Sequence, residues 1–124
     1  MKTRWLDRTL IRGPHTTLCK TEEQYLRAMQ EIGIDDPDKW LNPGQIALVH
    51  HFSSNIFGGR ICVVCIGDIE GWDPIEVASI LVHEAVHIWQ AYVEFIEEDN
   101  PSNEFEAYSI ERVAHNLMEE YTKC

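Results

Sequence analysis

The segment of this sequence best suited to chemistry is His83-Glu84-Ala85-Val86-His87, which lies in an otherwise apolar stretch from residue 79 to 95. If the stretch is helical, the four-residue spacing puts the two imidazoles one turn apart on one face. Two imidazoles placed in this way can bind a single tetrahedral zinc ion. Glu84 is turned by about 100° from His83, which suits a carboxylate that takes a proton from zinc-bound water.

The same three residues also have a purely structural interpretation. Histidines in a core helix usually form hydrogen bonds with nearby backbone or side-chain groups. Because the flanking residues are apolar, the sequence predicts that the helix buries both imidazoles and the carboxylate together, which requires compensation for their desolvation. A zinc ion would compensate all three groups, so metal binding is the favoured interpretation.

The helix that carries these residues has clear boundary signals. Asp73 and Pro74 are typical of an N-cap and a first-turn residue, and the helical pattern continues to about Glu97. Polar residues recur along it every three or four positions, which predicts a single polar stripe. The stripe consists of Glu76, Ser79, His83, His87, Gln90 and Glu94.

A last helix is predicted from Asn103 to about Tyr121, because Asn103 and Glu106 have capping-box spacing. A catalytic zinc needs a third protein ligand, and the chain from the helix that carries His83 and His87 to Glu104 is long enough to return to the metal. Glu106 is the alternative ligand, but Glu104 and Glu106 lie about 200° apart around the last helix, so both cannot face the metal. His115 is expected to be exposed. The predicted apolar face consists of Ala107, Ile110, Ala114, Leu117 and Tyr121.

The upstream sequence predicts a helix and two strands. "TEEQYLRAMQEIGI" indicates a short amphipathic helix with Thr21 as N-cap and Gly33 at its end. "QIALVHHF" and "RICVVCIG" are β-branched runs joined by "SSNIFGG", which indicates a small antiparallel sheet. We therefore expect one α+β domain spanning residues 1–124.

Alternation along the strands limits what their polar residues can do. Cys62 and Cys65 have CxxC spacing, but residues three apart in a strand point to opposite faces, so joint metal binding is disfavoured. By the same rule, at most one of His50 and His51 can face a cleft near the helix. We expect all four cysteines to be reduced thiols, since their positions do not indicate a secreted disulfide framework.

Composition excludes some partners. The formal charge of −11, with ten basic against 21 acidic residues, disfavours nucleic acid, because Lys and Arg supply most of that affinity. No apolar run approaches the roughly 20 residues of a membrane span, and the N-terminal residues lack a signal-peptide pattern. The expected location is the cytoplasm.

"HEAVH" followed by "NEFEAY" resembles the gluzincin class of zinc metallopeptidases, and the short chain is similar to minigluzincins and to proteins expected in phage or prophage genomes. The resemblance covers about residues 79 to 112. It implies a minimal zincin-like domain with one Zn²⁺ per chain, a peptide or protein substrate and a C-terminal helix carrying the third ligand. The implied ligands are His83, His87 and Glu104, with Glu84 as general base. Tyr108 departs from the aspartate of many members, although its hydroxyl can still form a hydrogen bond.

Several points stay open at this level. Peptide hydrolysis needs a donor for the developing oxyanion, and the sequence does not choose among His50, His51, Tyr92, Tyr108 and Arg112. A deformylase-like site is disfavoured because its Gly-Cys ligand context is absent. The alternative function is a non-catalytic scaffold, for example in phage assembly, with a structural or lost metal. The same ligands accept other divalent ions, and nothing indicates the oligomeric state.

Overall fold

A three-stranded mixed sheet lies at the centre of the computed structural model, which describes residues 2–54 and 57–123. The strands are β1 (His15–Cys19), β2 (Ala47–Ser54) and β3 (Gly59–Ile66), in the order β1-β3-β2. β2 and β3 pair antiparallel, as predicted, and the loop expected between them includes residues 55 and 56, which lie outside the described residues. Together with three helices in the described part of the chain, the sheet confirms the α+β class.

β1 was not predicted, so the expectation of a purely antiparallel sheet is wrong. β1 pairs parallel to β3, with His15 opposite Ile61. Its outer edge is joined by the N-terminal segment, because Leu6 N–H donates to the Thr16 carbonyl oxygen at 2.8 Å. β2 forms the other edge of the sheet.

The helices agree closely with the sequence prediction. α1 (Glu22–Glu31) begins after Thr21, whose hydroxyl accepts from Gln24 N–H, and it ends just before Gly33, where φ is 83°. α2 (Pro74–Phe95) begins after Asp73, whose carboxylate accepts from Ile75 N–H at 2.8 Å. No helix in residues 2–54 or 57–123 has the length and apolar character that crossing a bilayer requires.

The start of the last helix, α3 (Asn103–Tyr121), differs from the prediction by one residue. Ser102 is the N-cap, and its hydroxyl accepts from Phe105 N–H at 3.2 Å. The capping box predicted from Asn103 and Glu106 is therefore wrong. The Glu106 carboxylate instead accepts a hydrogen bond from the indole of Trp89 on α2.

The two faces of the sheet bury different helices, because successive strand residues point to opposite sides. One face packs against α2 and α3, and the other packs against α1. The strand residues on the first face are Leu18, Ala47, Val49, Cys62, Val64 and Ile66. Those on the second face are Cys19, Ile61, Val63 and Cys65.

The buried face of α3 is also displaced from the predicted one. Ala107 is exposed, whereas Ser109 and Glu120 are buried. The Glu120 carboxylate forms ion pairs with Arg4 Nε at 3.0 Å and with Lys123 Nζ at 3.8 Å. The buried face of α3 was predicted from apolar residues alone, but it includes two polar ones.

The Glu31 carboxylate connects α1 to the N-terminal segment and gives a pH-dependent prediction. It accepts hydrogen bonds from Thr3 N–H and Trp5 Nε1–H, both at 3.0 Å. Burial alone would raise the pKa of Glu31, but these hydrogen bonds and the charge of Arg27 hold the pKa below its ordinary value. Because the folded-state pKa is lowered, this stabilisation is present above the unfolded-state pKa, about 4.3, and is lost as pH falls through the folded-state pKa.

We therefore expect Glu31→Gln to lower the free energy of unfolding by about 1 to 2 kcal/mol at pH 7, since two hydrogen bonds to a charged acceptor are weakened. Urea denaturation at pH 7 and at pH 3 measures the effect, which should shrink at the lower pH. Glu111→Gln, at an exposed position of α3, is the matched control. An effect of equal size at both pH values would contradict the role of the carboxylate charge.

Candidate metal centre

His83 and His87 lie side by side on the exposed side of α2. Their Nε2 atoms are 3.2 Å apart, as expected for imidazoles one helical turn from each other. All six residues of the predicted polar stripe are exposed, including both histidines. The expectation that α2 buries the two imidazoles with the carboxylate is therefore wrong, and only Glu84 is buried. The reason is that the stripe, not the apolar flanks, sets the orientation of these histidines.

The distance between the two Nε2 atoms matches that of a metal chelate. Zinc binds histidine nitrogen at about 2.0–2.1 Å, and a tetrahedral angle at the metal then places two such nitrogens about 3.3 Å apart. The 3.2 Å distance in the structure differs from this value by about 0.1 Å. In the structure the two nitrogens share a hydrogen bond at this distance, so an ion bound by both would replace that contact.

Gln90 orients the second histidine of the pair. The His87 Nδ1–H donates to Gln90 Oε1 at 3.1 Å, which leaves the lone pair of the neutral ring on Nε2. His83 then supplies the hydrogen of the contact between the two Nε2 atoms. A partner on the other ring nitrogen is typical of metal-ligating histidines. This contact was not predicted, although the i, i+3 spacing from His87 to Gln90 on one helix could have indicated it.

Glu84 lies beneath the two histidines and is 4% exposed. Burial raises the pKa of its carboxyl group, and the charges of His83 and His87 partly oppose the rise. The carboxylate lies at the boundary between the polar stripe and the core, about 100° around the helix from His83. The role of Glu84 as general base stays a prediction.

The structure does not bring Glu104 to the histidine pair. Glu106 accepts from Trp89 Nε1–H at 3.0 Å, and Glu104, turned by about 200° from it, is exposed on the far side of α3. Glu106 does not face the pair either, because Trp89 lies about 200° around α2 from His87. Across residues 2–54 and 57–123, no three His, Cys, Asp or Glu side chains form a group that could hold a metal.

Other residues considered as oxyanion donors are held elsewhere. His50 packs its ring against Tyr25 on the α1 side of the sheet, and its Nε2 contacts the Trp40 carbonyl oxygen at 3.0 Å. The Tyr92 hydroxyl donates to the Ile11 carbonyl oxygen at 2.7 Å. Both polar groups are thus engaged in the fold, away from the histidine pair.

Tyr108, Arg112 and His115 are exposed on α3. Tyr108 is 66% exposed, and Arg112 is exposed one turn further on. Neither side chain is packed into the α2–α3 interface, which holds the buried face of α3. His115 pairs with Glu119 at 3.6 Å on the surface, which confirms the prediction that it is exposed.

His51 is the predicted donor that lies on the side of the sheet facing α2. It continues the alternation of Ala47 and Val49, which pack under α2 and α3. The residue as a whole is exposed, but its ring contact with β3 is partly buried. Its Nδ1 lies 3.5 Å from the sulfur of Cys62 on β3. Burial lowers the pKa of His51, and the charges of Arg60, His87 and His50 lower it further.

The cysteines confirm the predicted alternation. Cys62 packs on the α2 side of the sheet and Cys65 on the α1 side, so the CxxC spacing does not create a shared site. Cys19, Cys62 and Cys65 are free and buried, in agreement with the prediction of reduced thiols, while Cys124 lies outside the described residues. Burial raises the pKa of Cys62 to about 12, which keeps this thiol protonated near neutral pH.

Comparisons with protein-family models, curated proteins and solved structures find no match to this chain. The resemblance to gluzincins therefore depends on the short motifs in the sequence.

Proposed function

We propose that this chain is a zinc-dependent peptide hydrolase with a minimal zincin-like site, in which His83 and His87 hold the metal. The observation that carries the proposal is the 3.2 Å distance between their Nε2 atoms, which matches the spacing of two nitrogens on one zinc ion. The hydrogen bond from His87 to Gln90 adds to it by directing the Nε2 lone pair toward the shared position.

Each residue of the site has a separate role in hydrolysis. When bound, zinc supplies a Lewis acid that polarises a carbonyl group and makes water easier to deprotonate. Glu84 accepts a proton from the attacking water and passes it to the leaving amine. The buried position of Glu84 restricts its side chain, so the carboxylate is held next to the histidine pair.

A peptide is the substrate that the fold accommodates most simply. β2 is an edge strand, and α2 packs on the same sheet face as His51. An extended peptide can add to such an edge through backbone hydrogen bonds, with alternate side chains pointing toward the helix. Its backbone would then run beside the histidine pair, which favours a peptide bond as the group that is cleaved.

A non-catalytic scaffold is the second candidate. It is favoured by apolar side chains exposed on the surface, with Trp72 at 45%, Ile75 at 76% and Tyr108 at 66%. Exposed apolar groups mark a protein interaction site where they join into one patch. A scaffold predicts a stable partner and no cleavage of peptides by the wild-type chain.

Zinc binding and cleavage of an unfolded protein, measured on the same preparations, test the proposed function. We expect about one zinc per chain in the wild type, and a weakening of at least about 100-fold in His87→Ala, since loss of even an outer-shell partner costs 10- to 100-fold. His115→Ala removes an exposed histidine from α3 and should change neither property.

Chelation should stop cleavage by the wild type, and added zinc should restore it. Zinc binding without any cleavage would support the scaffold. If the wild type fails to bind zinc even after it is added, the hydrolase proposal is wrong.

A further inference from the structure

We propose that a cavity at the β1 edge of the sheet binds the phosphate group of a small anion. The cavity has a volume of about 160 Å³, and it lies where the N-terminal segment, β1, α1 and the C-terminal end of α3 meet. None of the described residues that line it belongs to α2. The site is therefore separate from the histidine pair, and the inference is independent of the proposed function.

Basic side chains are concentrated at this cavity, although the chain as a whole carries a formal charge of −11. Five of the ten basic residues line it, together with a single carboxylate. Clustered Lys and Arg side chains in a cleft raise the local concentration of anions. The charged residues of the lining are Lys2, Arg4, Lys20, Arg27, Lys123 and Glu120.

Contacts within the cluster hold three of the basic side chains and compensate part of their charge. The Glu120 carboxylate pairs with Arg4 Nε at 3.0 Å and with Lys123 Nζ at 3.8 Å. The Lys20 ammonium donates to the carbonyl oxygens of Tyr121 and Lys123 at the end of α3. These carbonyl oxygens position Lys20 without neutralising it, and one carboxylate offsets only one positive charge. An anion in the cavity would compensate the remainder.

The Thr3 side chain gives an observation that does not depend on charge. Thr3 lines the same cavity, and its hydroxyl oxygen is buried with no hydrogen-bond partner among the described residues. Buried polar side-chain atoms usually have such a partner. A phosphate oxygen is a strong acceptor for a hydroxyl donor. A water molecule could also satisfy this hydroxyl, but it would not compensate the surrounding positive charge.

The size of the cavity indicates a small ligand. Its volume is roughly ten times the 10–15 Å³ that holds one water molecule, which leaves room for a phosphate group and a few further atoms. An extended polyanion is disfavoured, because all but one of the 21 acidic residues lie outside the lining and would repel it. A phosphate monoester carries about −1.5 to −2 at pH 7, so it compensates more of the cluster than a carboxylate does.

The test is isothermal titration calorimetry of the full chain with inorganic phosphate, at an ionic strength kept constant with potassium chloride. The double variant Lys2→Gln/Arg27→Gln removes two positive charges from the lining and leaves the ion pairs of Glu120 in place. We expect the wild type to bind one phosphate per chain and the double variant to bind it at least about tenfold more weakly, because charge-assisted hydrogen bonds are lost. Circular dichroism establishes that each variant is folded.

Lys39→Gln/Arg112→Gln is the matched control, since it removes the same charge from two exposed residues outside the lining. It should bind phosphate as the wild type does. Equal weakening in the two double variants would mean that net charge, and not the cavity, attracts phosphate. That result, or a wild type that binds no phosphate, would overturn the proposal.

Thr3→Val separates binding of a ligand from a role in folding. Because the hydroxyl has no partner in the described fold, its removal should not lower the urea midpoint in phosphate-free buffer. Phosphate binding should nevertheless weaken by roughly tenfold, as expected for a lost hydrogen bond to a charged group. A lower midpoint with unchanged phosphate affinity would contradict the role of Thr3.

Three further titrations identify the ligand and its site. Tighter binding of glycerol phosphate than of inorganic phosphate would assign a phosphate ester, and the reverse would assign free phosphate. Acetate binding as tight as that of phosphate would overturn the choice of phosphate. His87→Ala should keep full phosphate affinity, because its side chain does not line the cavity. Loss of phosphate binding in this variant would place the anion at the histidine pair and refute the cavity site.

Discussion

Glu84→Gln is expected to bind zinc as tightly as the wild type and to cleave an unfolded protein about 10²- to 10⁴-fold more slowly, which is the usual contribution of a positioned general base. The amide has nearly the same shape as the carboxylate but cannot accept the proton of the attacking water. The two imidazoles that we propose as zinc ligands are unchanged. The variant thus separates binding of the metal from the chemical step.

Glu94→Gln is the matched control for this experiment. Glu94 lies on the same exposed stripe of α2, two helical turns beyond His87, and its replacement removes one negative charge without touching the histidine pair. Initial rates at saturating zinc, together with the zinc content of each protein, measure the effect. If Glu84→Gln cleaves as fast as Glu94→Gln, Glu84 is not the base.

Leu117→Ala is expected to lower the free energy of unfolding by about 2 to 5 kcal/mol, the range for removing a large buried aliphatic side chain. Leu117 is 0% exposed and belongs to the cluster that joins α3 to α2 and the sheet. The variant leaves a cavity beneath the helix that carries the histidines. Because the cluster also contains Ala85 and Ile88, the position of α2 should be affected.

Leu26→Ala provides the comparison for an exposed leucine. Leu26 is 47% exposed on α1, so its loss should cost less than about 1 kcal/mol. Urea denaturation followed by circular dichroism gives both values. A similar loss of unfolding free energy in the two variants would show that Leu117 contributes no more to stability than an exposed leucine does.

The boundaries of α2 could be predicted because several local signals agree. Asp73 and Pro74 mark its start, and the polar stripe runs through the whole element. The exposure of His83 and His87 follows from that stripe. The prediction that these histidines are buried was wrong because it relied on the apolar composition of the flanking residues. The angle at which each residue lies around the helix decides its exposure instead.

The position of Glu104 could not be predicted in the same way, because the buried face of α3 includes polar residues. Ser109 and Glu120 are buried, whereas Ala107 is exposed. A hydrophobic pattern cannot identify a face of this kind. The contact between Glu106 and Trp89 joins residues on two helices, and it fixes the rotation of α3 in a way that spacing along one helix does not reveal.

The environment of His51 also depends on tertiary structure. Alternation along β2 was enough to separate His50 from His51. It could not show which of the two faces α2, because that depends on the side of the sheet on which each helix packs. The Cys62 contact, in turn, requires the register that pairs His51 with Cys62.

The parallel pairing of β1 with β3 has a consequence for the order of folding. β2 and β3 are adjacent along the chain and can form a hairpin early, whereas β1 must wait for a partner that is distant in sequence. The N-terminal segment attaches to β1 through Leu6 and Thr16, so it can add only after that strand. The hairpin carrying His51 is therefore expected to form before the segment that completes the opposite edge, and amide hydrogens of β1 should become protected from exchange last.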